Sequence, residues 1–265
     1  MDWFDSDYYH VLYKHRDYNE ARNFINNIVE YLDLKKGSKI LDLACGIGRH
    51  SIYLDKIGFK VVGTDKSPNN IKKAKASKNQ DICFLQMEMI DDTNHKYDVI
   101  FNLFTSFGYV NHDYNSRTIK NIERQLKDDG TVIIDSMNTL FVKKNLVIEE
   151  NLKDDGVGVI DFFNIHNVKK NLIEQENIIR DNINFNISRK TKDKLVEKNI
   201  SFEDNSIKYS YKETVNGLNL NDFKNYFKKT NLEINEIFGD YELNKFDLNY
   251  SPRLIIVFKK KSQSN

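Results

Sequence analysis

A glycine turn between an apolar strand and a helix is the part of this sequence best suited to hold a ligand. Residues Lys39 to Leu43 read as a buried strand, and the turn Ala44-Cys45-Gly46-Ile47-Gly48 follows directly. Glycines allow the backbone to approach a ligand closely, and the first N–H groups of the following helix have no partner within that helix. The pattern Asp42-x-Ala44-x-Gly46-x-Gly48 therefore predicts a ligand-binding turn.

Polar side chains also stand at the ends of the next three predicted strands. Asp65 and Glu88 end the second and third strands, Phe59–Thr64 and Ile82–Met87, and Asn102 ends the fourth. Ligands of open parallel sheets bind beyond the carboxyl ends of the strands, at the switch in strand order. We therefore expect these side chains to meet the glycine turn at one edge of a sheet.

Helices alternate with these strands, which predicts βαβ units and a parallel sheet. Asp17 is a candidate N-cap, and Ser67-Pro68 is a favourable helix start. A helix from near Asp113 is expected to stop at Asp129-Gly130, where glycine suits the left-handed C-terminal position. The predicted fifth strand, Thr131–Ser136, follows this helix.

The alternation of strands and helices stops after about residue 146. Runs rich in β-forming residues, such as Val157–Phe163 and Ile207–Tyr211, are separated by charged, turn-like pieces, notably Ser188–Lys198. We expect residues 146–213 to form an antiparallel β insert that caps the ligand end of the sheet.

The α/β pattern resumes after the insert. Apolar residues at helical spacing begin at Leu220, and Leu232–Phe238 and Leu254–Phe258 read as two final strands. The main domain is therefore expected to comprise residues 1–145 and 214–265.

The residues at the strand ends resemble the motifs of the class I S-adenosylmethionine (SAM) dependent methyltransferases. The acidic, small, Gly-x-Gly pattern of Asp42–Gly48 resembles motif I, Val61–Pro68 the second motif and Ile82–Asp91 the third. Ser251–Val257 resembles the usual last strand, and Asn102–Tyr109 resembles a stretch of uncharacterised bacterial members. The resemblance implies a Rossmann-like α/β fold with a seven-stranded, mostly parallel sheet and an antiparallel C-terminal strand pair, and the layout is similar to small-molecule N-methyltransferases with a β insert.

The resemblance implies SAM as cofactor and S-adenosylhomocysteine (SAH) as product. It implies that Asp65 binds the ribose, that Glu88 and the Met89 N–H bind the adenine, and that Asp42 orients the turn or meets the amino group. The predicted cofactor-binding residues are Tyr13, Arg16, Asp42, Ala44, Cys45, Gly46, Gly48, Asp65, Lys66, Glu88, Met89, Asn102 and Leu103. The chain departs from the family pattern at Ala44, which replaces the first glycine, and at Glu88, where aspartate is commoner.

Residues on the acceptor side carry a weaker sequence signal. The predicted substrate-contacting residues are Tyr8, Tyr9, Phe104, Ser106, Phe107 and Tyr109, and the candidate proton acceptors are Tyr8, His10 and Tyr109. Methyl transfer is a displacement at an activated carbon, so positioning and exclusion of water are the main tasks. Three alternatives stay open. The N-terminal tyrosines form a lid or a packing anchor, Phe104 and Phe107 line the substrate or the core, and Arg16 meets the SAM carboxylate or a surface ion pair.

Composition excludes several other functions. Lys and Arg total 40 against 39 Asp and Glu, a net charge of +1, so there is no global electrostatic footprint for nucleic acid. The six histidines lack metal-binding spacing, so no metal is predicted, and Cys83, one of two cysteines, is expected in the core. No apolar run is long enough to span a bilayer, and the acidic, aromatic N-terminus is unlike a signal peptide, which favours a cytoplasmic protein.

A nicotinamide or flavin fold is the main competing interpretation of the glycine turn. Its fingerprint, Gly-x-Gly-x-x-Gly, needs a third glycine for close helix packing, and Ser51 stands at that position. We therefore expect methyl transfer to a nitrogen or oxygen of a small-molecule acceptor. An RNA or protein methyltransferase, or a non-catalytic SAM-binding sensor or partner protein, is the alternative, because fold and cofactor site do not fix the acceptor. The sequence predicts no oligomeric state.

Overall fold

A seven-stranded sheet carries the strand ends predicted above in a computed structural model of this chain, which describes residues 3–14, 18–76, 82–147, 172–173, 175–192 and 194–261. The helices are the 3-10 helix η1 (Trp3–Asp5), α1 (Asp7–Leu12), α2 (Tyr18–Tyr31), α3 (Arg49–Lys56), α4 (Pro68–Ala76), α5 (His112–Gln125), α6 (Thr139–Asn145) and α7 (Leu220–Phe227). The strands are β1 (Lys39–Leu43), β2 (Lys60–Asp65), β3 (Cys83–Gln86), β4 (Tyr97–Asn102), β5 (Leu126–Met137), β6 (Leu146–Val147), β7 (Leu172–Ile173), β8 (Gln175–Arg180), β9 (Ile183–Lys192), β10 (Leu195–Asp204), β11 (Ile207–Asn216), β12 (Leu232–Phe238) and β13 (Arg253–Lys260). Within these described ranges, no helix is both long and apolar enough to cross a membrane.

The large sheet has the strand order β12-β13-β5-β4-β1-β2-β3. Strands β1 to β5 run parallel, whereas β13 is antiparallel to both β5 and β12. The predicted mostly parallel sheet with an antiparallel C-terminal pair is therefore confirmed. The strand order reverses between β1 and β4, and ligands of open α/β sheets bind at this kind of switch point.

Apolar side chains on both faces of β1 fix the sheet between two helical layers. Ile40 packs in one core cluster with Phe24 of α2 and Leu54 of α3, and Leu41 packs in a second cluster with Ile119 of α5. All five side chains are fully buried. A strand covered on both faces is mostly apolar, which explains why the sequence of β1 was readable as a buried parallel strand although it contains Asp42.

A separate four-stranded antiparallel sheet, in the order β11-β10-β9-β8, forms the main described part of the predicted insert. Its covered face packs against residues 3–14, the N-terminal segment. Trp3 and Leu12 share a hydrophobic cluster there with Phe185 and Phe202. The predicted antiparallel insert is thus confirmed. The short strands β6 and β7, which precede it in the sequence, pair with each other in parallel.

The predicted end of the helix that starts near Asp113 is wrong. Helix α5 ends at Gln125, because Leu126 takes an extended backbone and pairs with Tyr97 of β4. Gly130 lies within β5, and a Cβ at this position would lie 2.7 Å from the Leu126 side chain. Glycine suits this position because it packs closely against Leu126, and not because a helix ends here in the left-handed conformation.

Two further expectations are corrected by strand pairing. Ser188–Lys198, predicted as turn-like, falls mostly within β9 and β10, where exposed or partly exposed side chains alternate with buried ones. Two of the buried side chains, Arg189 and Lys198, are charged. Cys83 is exposed, because it lies on β3, the edge strand of the large sheet. The predicted strand Val157–Phe163 lies outside the described residues.

A buried ion pair joins β13 to β5 at the ligand end of the sheet. Arg253 and Asp135 have almost no exposed surface, and Arg253 Nη2 lies 2.6 Å from Asp135 Oδ1. Asp135 Oδ2 accepts hydrogen bonds from the Phe104 N–H at 2.9 Å and the Tyr241 hydroxyl at 3.0 Å. Arg253 also donates to Thr105 Oγ1 at 2.7 Å. The pair therefore holds the loop that follows β4.

The backbone after β1 takes left-handed conformations. The φ angle is 61° at Ala44, 57° at Gly46 and 80° at Gly48. Glycine adopts such angles freely, whereas an L-residue with a Cβ loses about 1–2 kcal/mol there. Ala44 is therefore a strained position in the turn.

Replacing Arg253 by methionine should lower the free energy of unfolding by about 3–5 kcal/mol, because Asp135 would be left as an unpaired buried charge. Chemical denaturation measures the change. The matched control is Lys35→Met, which removes the cation of an exposed pair with Asp33 and should leave stability unchanged within error. Equal effects of the two substitutions would contradict this account of the pair.

Replacing Ala44 by glycine should raise the free energy of unfolding by about 0.5–1 kcal/mol. Relief of the left-handed strain outweighs the roughly 0.4–1 kcal/mol of entropy that glycine adds to the unfolded chain. The matched control, Ala74→Gly on the buried face of α4, should lower stability by about 1 kcal/mol or more. Denaturation curves in which both variants are destabilised would show that Ala44 is not strained.

Candidate functional site

The glycine turn is open on one side and tightly packed on the other. A Cβ at Gly46 would meet no atom within 4 Å, whereas a Cβ at Gly48 would lie 2.7 Å from the Phe84 ring. Cys45 is buried on the packed side, and burial raises the pKa of its thiol. The turn therefore presents the backbone of Gly46 to a ligand, while Gly48 lets the turn pack against β3.

Asp42 lies beneath this turn and is fully buried in β1. Its Oδ2 accepts a hydrogen bond from Ser51 Oγ at 2.6 Å, in the first turn of α3. Burial raises the pKa of Asp42 to about 6, and hydrogen bonding from Ser51 opposes the rise. The contact ties β1 to the helix after the turn, which favours the turn-orienting role among the two that the sequence allowed.

Asp65 ends β2 directly beside the turn. Its carboxylate accepts hydrogen bonds from the Gly46 N–H at 2.8 Å, the Ser67 N–H at 2.9 Å and Asn70 Nδ2 at 3.3 Å. Burial raises the pKa of Asp65, and these three hydrogen bonds oppose the rise. A carboxylate offers about four acceptor positions, so Asp65 has capacity for about one further donor such as a sugar hydroxyl.

The loop after β3 places a carboxylate beside a backbone donor. Glu88 is exposed, and its Oε2 accepts a hydrogen bond from the Tyr114 hydroxyl at 2.7 Å. The Met89 N–H donates to the same hydroxyl at 3.2 Å. An acceptor next to a donor is the arrangement that the adenine edge requires.

The N-terminal segment reaches this cluster from outside the sheet. Asp5 accepts hydrogen bonds from the Ser67 hydroxyl and the Asn69 N–H at the start of α4. His10 Nε2 lies 2.9 Å from Asn70 Oδ1, so it is linked through Asn70 to Asp65. Burial is the main cause that lowers the pKa of His10, which makes the imidazole neutral at pH 7.

The tyrosines of the N-terminal segment lie against the insert. The Tyr8 hydroxyl donates to Asp204 at 2.7 Å, and the Tyr13 hydroxyl donates to Glu213 at 3.1 Å. Tyr9 packs edge-on against Phe4, with ring centroids 5.5 Å apart. The structure thus uses these tyrosines as a packing anchor and does not bring Tyr8 or Tyr13 to the glycine turn.

The loop after β4 faces the helix that follows the glycine turn. Phe104 and Thr105 have φ angles of 63° and 54°, which are uncommon for residues other than glycine. The Phe104 ring centroid lies 5.5 Å from the His50 ring centroid and 4.7 Å from Arg49 Cζ. Burial lowers the pKa of His50 to about 3, so this imidazole is neutral and packs against the loop.

Other predicted residues near β4 divide between the site edge and the core. Asn102 Nδ2 donates to Leu43 O at 2.8 Å, which joins the ends of β4 and β1 at the switch point. Leu103 and Phe107 are buried in the hydrophobic core. Ser106 Oγ donates to Leu103 O at 3.1 Å. Of the two alternatives for Phe107, the structure favours the core.

Of two further predicted cofactor-binding residues, one lies at the surface next to Asp65 and the other falls outside the described residues. Lys66 is exposed, and its Nζ lies 5.9 Å from the Phe4 ring centroid. Arg16 lies outside the described residues.

Three residues that the sequence did not single out take part in the site. Asn70 bonds to Asp65, Tyr114 bonds to Glu88, and Asp135 holds the loop after β4. The helix start at residues 67–68 could have pointed to Asn70, because the first turn of that helix faces the end of β2. Tyr114 and Asp135 reach their partners across 26 and 31 residues, and no local motif marks them.

Comparisons with known proteins agree with this architecture. The model of the family described as "Methyltransferase domain" matches residues 13–237. The chain is similar to a solved S-adenosylmethionine-dependent methyltransferase from Clostridium acetobutylicum, with a TM-score of 0.73, 20% identity and coverage of 93% of each chain. At this identity the likeness shows the fold alone.

Curated relatives match over shorter stretches. The putative methyltransferase YqeM of Bacillus subtilis is 33% identical over 132 residues, which cover 48% of this chain and 51% of the relative. Phosphoethanolamine N-methyltransferase 1 of Zea mays is 36% identical over 109 residues, which cover 40% of this chain and 22% of the relative. The chain thus spans about half the length, or less, of these curated relatives.

The family match extends over most of the chain, and the sheet order places the acidic, glycine-containing turn at the switch point. On this evidence, the chain belongs to the class I S-adenosylmethionine-dependent methyltransferases.

Proposed function

We propose that this chain transfers a methyl group from SAM to a nitrogen or oxygen atom of a small-molecule acceptor. The observation that carries the proposal is the meeting of three binding elements at neighbouring strand ends. These are the open backbone at Gly46, the Asp65 carboxylate bonded to it at 2.8 Å, and the donor–acceptor pair of Met89 and Glu88.

The donor and acceptor groups of this chain fit SAM. Asp65 has an acceptor position left for a ribose hydroxyl, and Glu88 with the Met89 N–H complements the amino edge of adenine. The open side of Gly46 would face the methionine part, with Asp42 orienting the turn from below through Ser51. SAM supplies a methyl group on a sulfonium centre, already activated for displacement.

The acceptor side would be formed by the loop of residues 104–109. This loop touches the N-terminal segment, since the Phe4 and Tyr109 ring centroids lie 4.9 Å apart. It also touches the insert, because Asn216 Nδ2 donates to Gly108 O at 2.7 Å. The loop, the N-terminal segment and the insert would together position the acceptor and exclude water, and Tyr109 is the candidate proton acceptor nearest this junction.

A small amine is the acceptor class that a relative supports. The Zea mays relative is by name a phosphoethanolamine N-methyltransferase, although its match covers only 40% of this chain. Oxygen acceptors stay within the proposal, because the loop of residues 104–109 carries no group that selects nitrogen over oxygen. Incubation with SAM and a panel of amines and alcohols, with SAH release as the readout, tests the reaction.

Replacing Asp65 by asparagine should weaken SAH binding about 10-fold or more, because an amide cannot replace a charged acceptor that already serves three donors. Calorimetric titration with SAH measures the change. The matched control is Asp98→Asn, which removes a carboxylate near the opposite end of the sheet and should leave the affinity unchanged. An Asp65→Asn variant that binds SAH as tightly as the wild type would contradict the ribose assignment.

A further inference from the structure

Tyr114 makes two hydrogen bonds that use the groups assigned to adenine. Its hydroxyl donates to Glu88 Oε2 at 2.7 Å and accepts from the Met89 N–H at 3.2 Å. The amino edge of adenine also presents one donor beside one acceptor, namely the 6-amino group and the ring nitrogen N1. The hydroxyl therefore offers Glu88 and Met89 the same pair of contacts as adenine would.

We propose that Tyr114 sets the affinity for SAM by competing with adenine for the Met89 N–H. This inference rests on the proposed function, because it takes Glu88 and Met89 as the adenine-binding groups. A backbone N–H carries one proton and serves one acceptor well, whereas a carboxylate accepts several hydrogen bonds. Adenine can share Glu88 with Tyr114, but it must displace the hydroxyl from Met89.

The loop that carries these groups is held in place by other contacts. Asn121 Nδ2 donates to Met89 O at 3.0 Å and to Asp91 O at 2.7 Å. The Glu88 N–H donates to Asp91 Oδ2 at 2.9 Å. Because these hydrogen bonds fix the loop backbone from α5 and from within the loop, loss of the Tyr114 hydroxyl should free the Met89 N–H without displacing the loop.

Tyr114 itself is anchored where a hydroxyl can retain its proton. It lies in the first turn of α5, where its N–H donates to Asn111 Oδ1 at 2.8 Å, and its side chain is half-buried. Burial and the neighbouring Glu88 carboxylate raise the pKa of Tyr114. The hydroxyl is therefore protonated at neutral pH and can donate to Glu88 continuously.

The test is calorimetric titration of wild type and Tyr114→Phe with SAH. We expect Tyr114→Phe to bind SAH about 3- to 10-fold more tightly, the change expected when a ligand no longer has to displace one net hydrogen bond. If the Tyr114 hydroxyl only supported the site, Tyr114→Phe would instead bind SAH more weakly than the wild type. The matched control is Tyr97→Phe, which removes a hydroxyl that lies 2.7 Å from Thr93 Oγ1 in the same loop and should leave the affinity unchanged.

A second probe separates competition at the adenine edge from a general effect on the pocket. S-inosylhomocysteine carries a carbonyl oxygen in place of the 6-amino group and a neutral N–H at N1. The hydrogen-bond donor and acceptor on this edge are therefore exchanged relative to adenine. Its affinity should be low and equal in wild type and Tyr114→Phe. In the absence of ligand, hydrogen exchange at the Met89 amide should be faster in Tyr114→Phe and should slow again when SAH is added.

The outcomes distinguish this inference from the proposed function. Equal or weaker SAH binding by Tyr114→Phe, with clear binding by the wild type, would overturn the role of Tyr114 and leave the cofactor assignment intact. Equal gains for SAH and S-inosylhomocysteine would also overturn it, because the gain would not depend on the adenine edge. Failure of the wild type to bind SAH would overturn the proposed function and this inference together.

Discussion

The buried pair of Asp135 and Arg253 is the contact on which the ligand end of this sheet depends. Burying two charges is costly, and here the cost is offset because the carboxylate also accepts from the Phe104 N–H and a tyrosine hydroxyl, while the guanidinium donates to Thr105. These contacts hold Phe104 and Thr105 in left-handed conformations. The loop after β4 is thereby set against the helix that follows the glycine turn, where the Phe104 ring packs against His50 and Arg49.

The N-terminal segment provides a second link between the two sides. Asp5 accepts from the Ser67 hydroxyl and the Asn69 N–H at the start of α4, beside the Asp65 carboxylate. On the insert, Trp3 donates to Glu213 and Tyr8 donates to Asp204. One short segment thus joins the helix at the proposed cofactor site to the sheet proposed to cover the acceptor.

The fold was largely predictable because its signals are local. Residues 39–48 show strand, turn and helix start in one stretch, and Ser67 caps α4 as expected, with its hydroxyl accepting from the Asn70 N–H at 3.0 Å. The unpredicted features are contacts between distant residues. Arg253 meets Asp135 across 118 residues. Gly130 is a separate case, because its close packing against Leu126, four residues earlier, depends on strand geometry that a glycine in the sequence does not reveal. The roles proposed for the site residues remain predictions. The sequence pattern marks the strand ends but does not reveal partners such as Tyr114.

Calorimetric titration of the purified wild-type chain with SAH, and with NADH in parallel, tests the central claim most directly. We expect micromolar binding of SAH and no binding of NADH, because Asp65, Glu88 and the open turn at Gly46 are matched to an adenosine attached to an amino acid. The third glycine, which lets the helix of a dinucleotide-binding fold pack closely on its strand, is replaced by Ser51. Binding of NADH alone, or of neither ligand, would contradict the claim that this sheet edge is a SAM site.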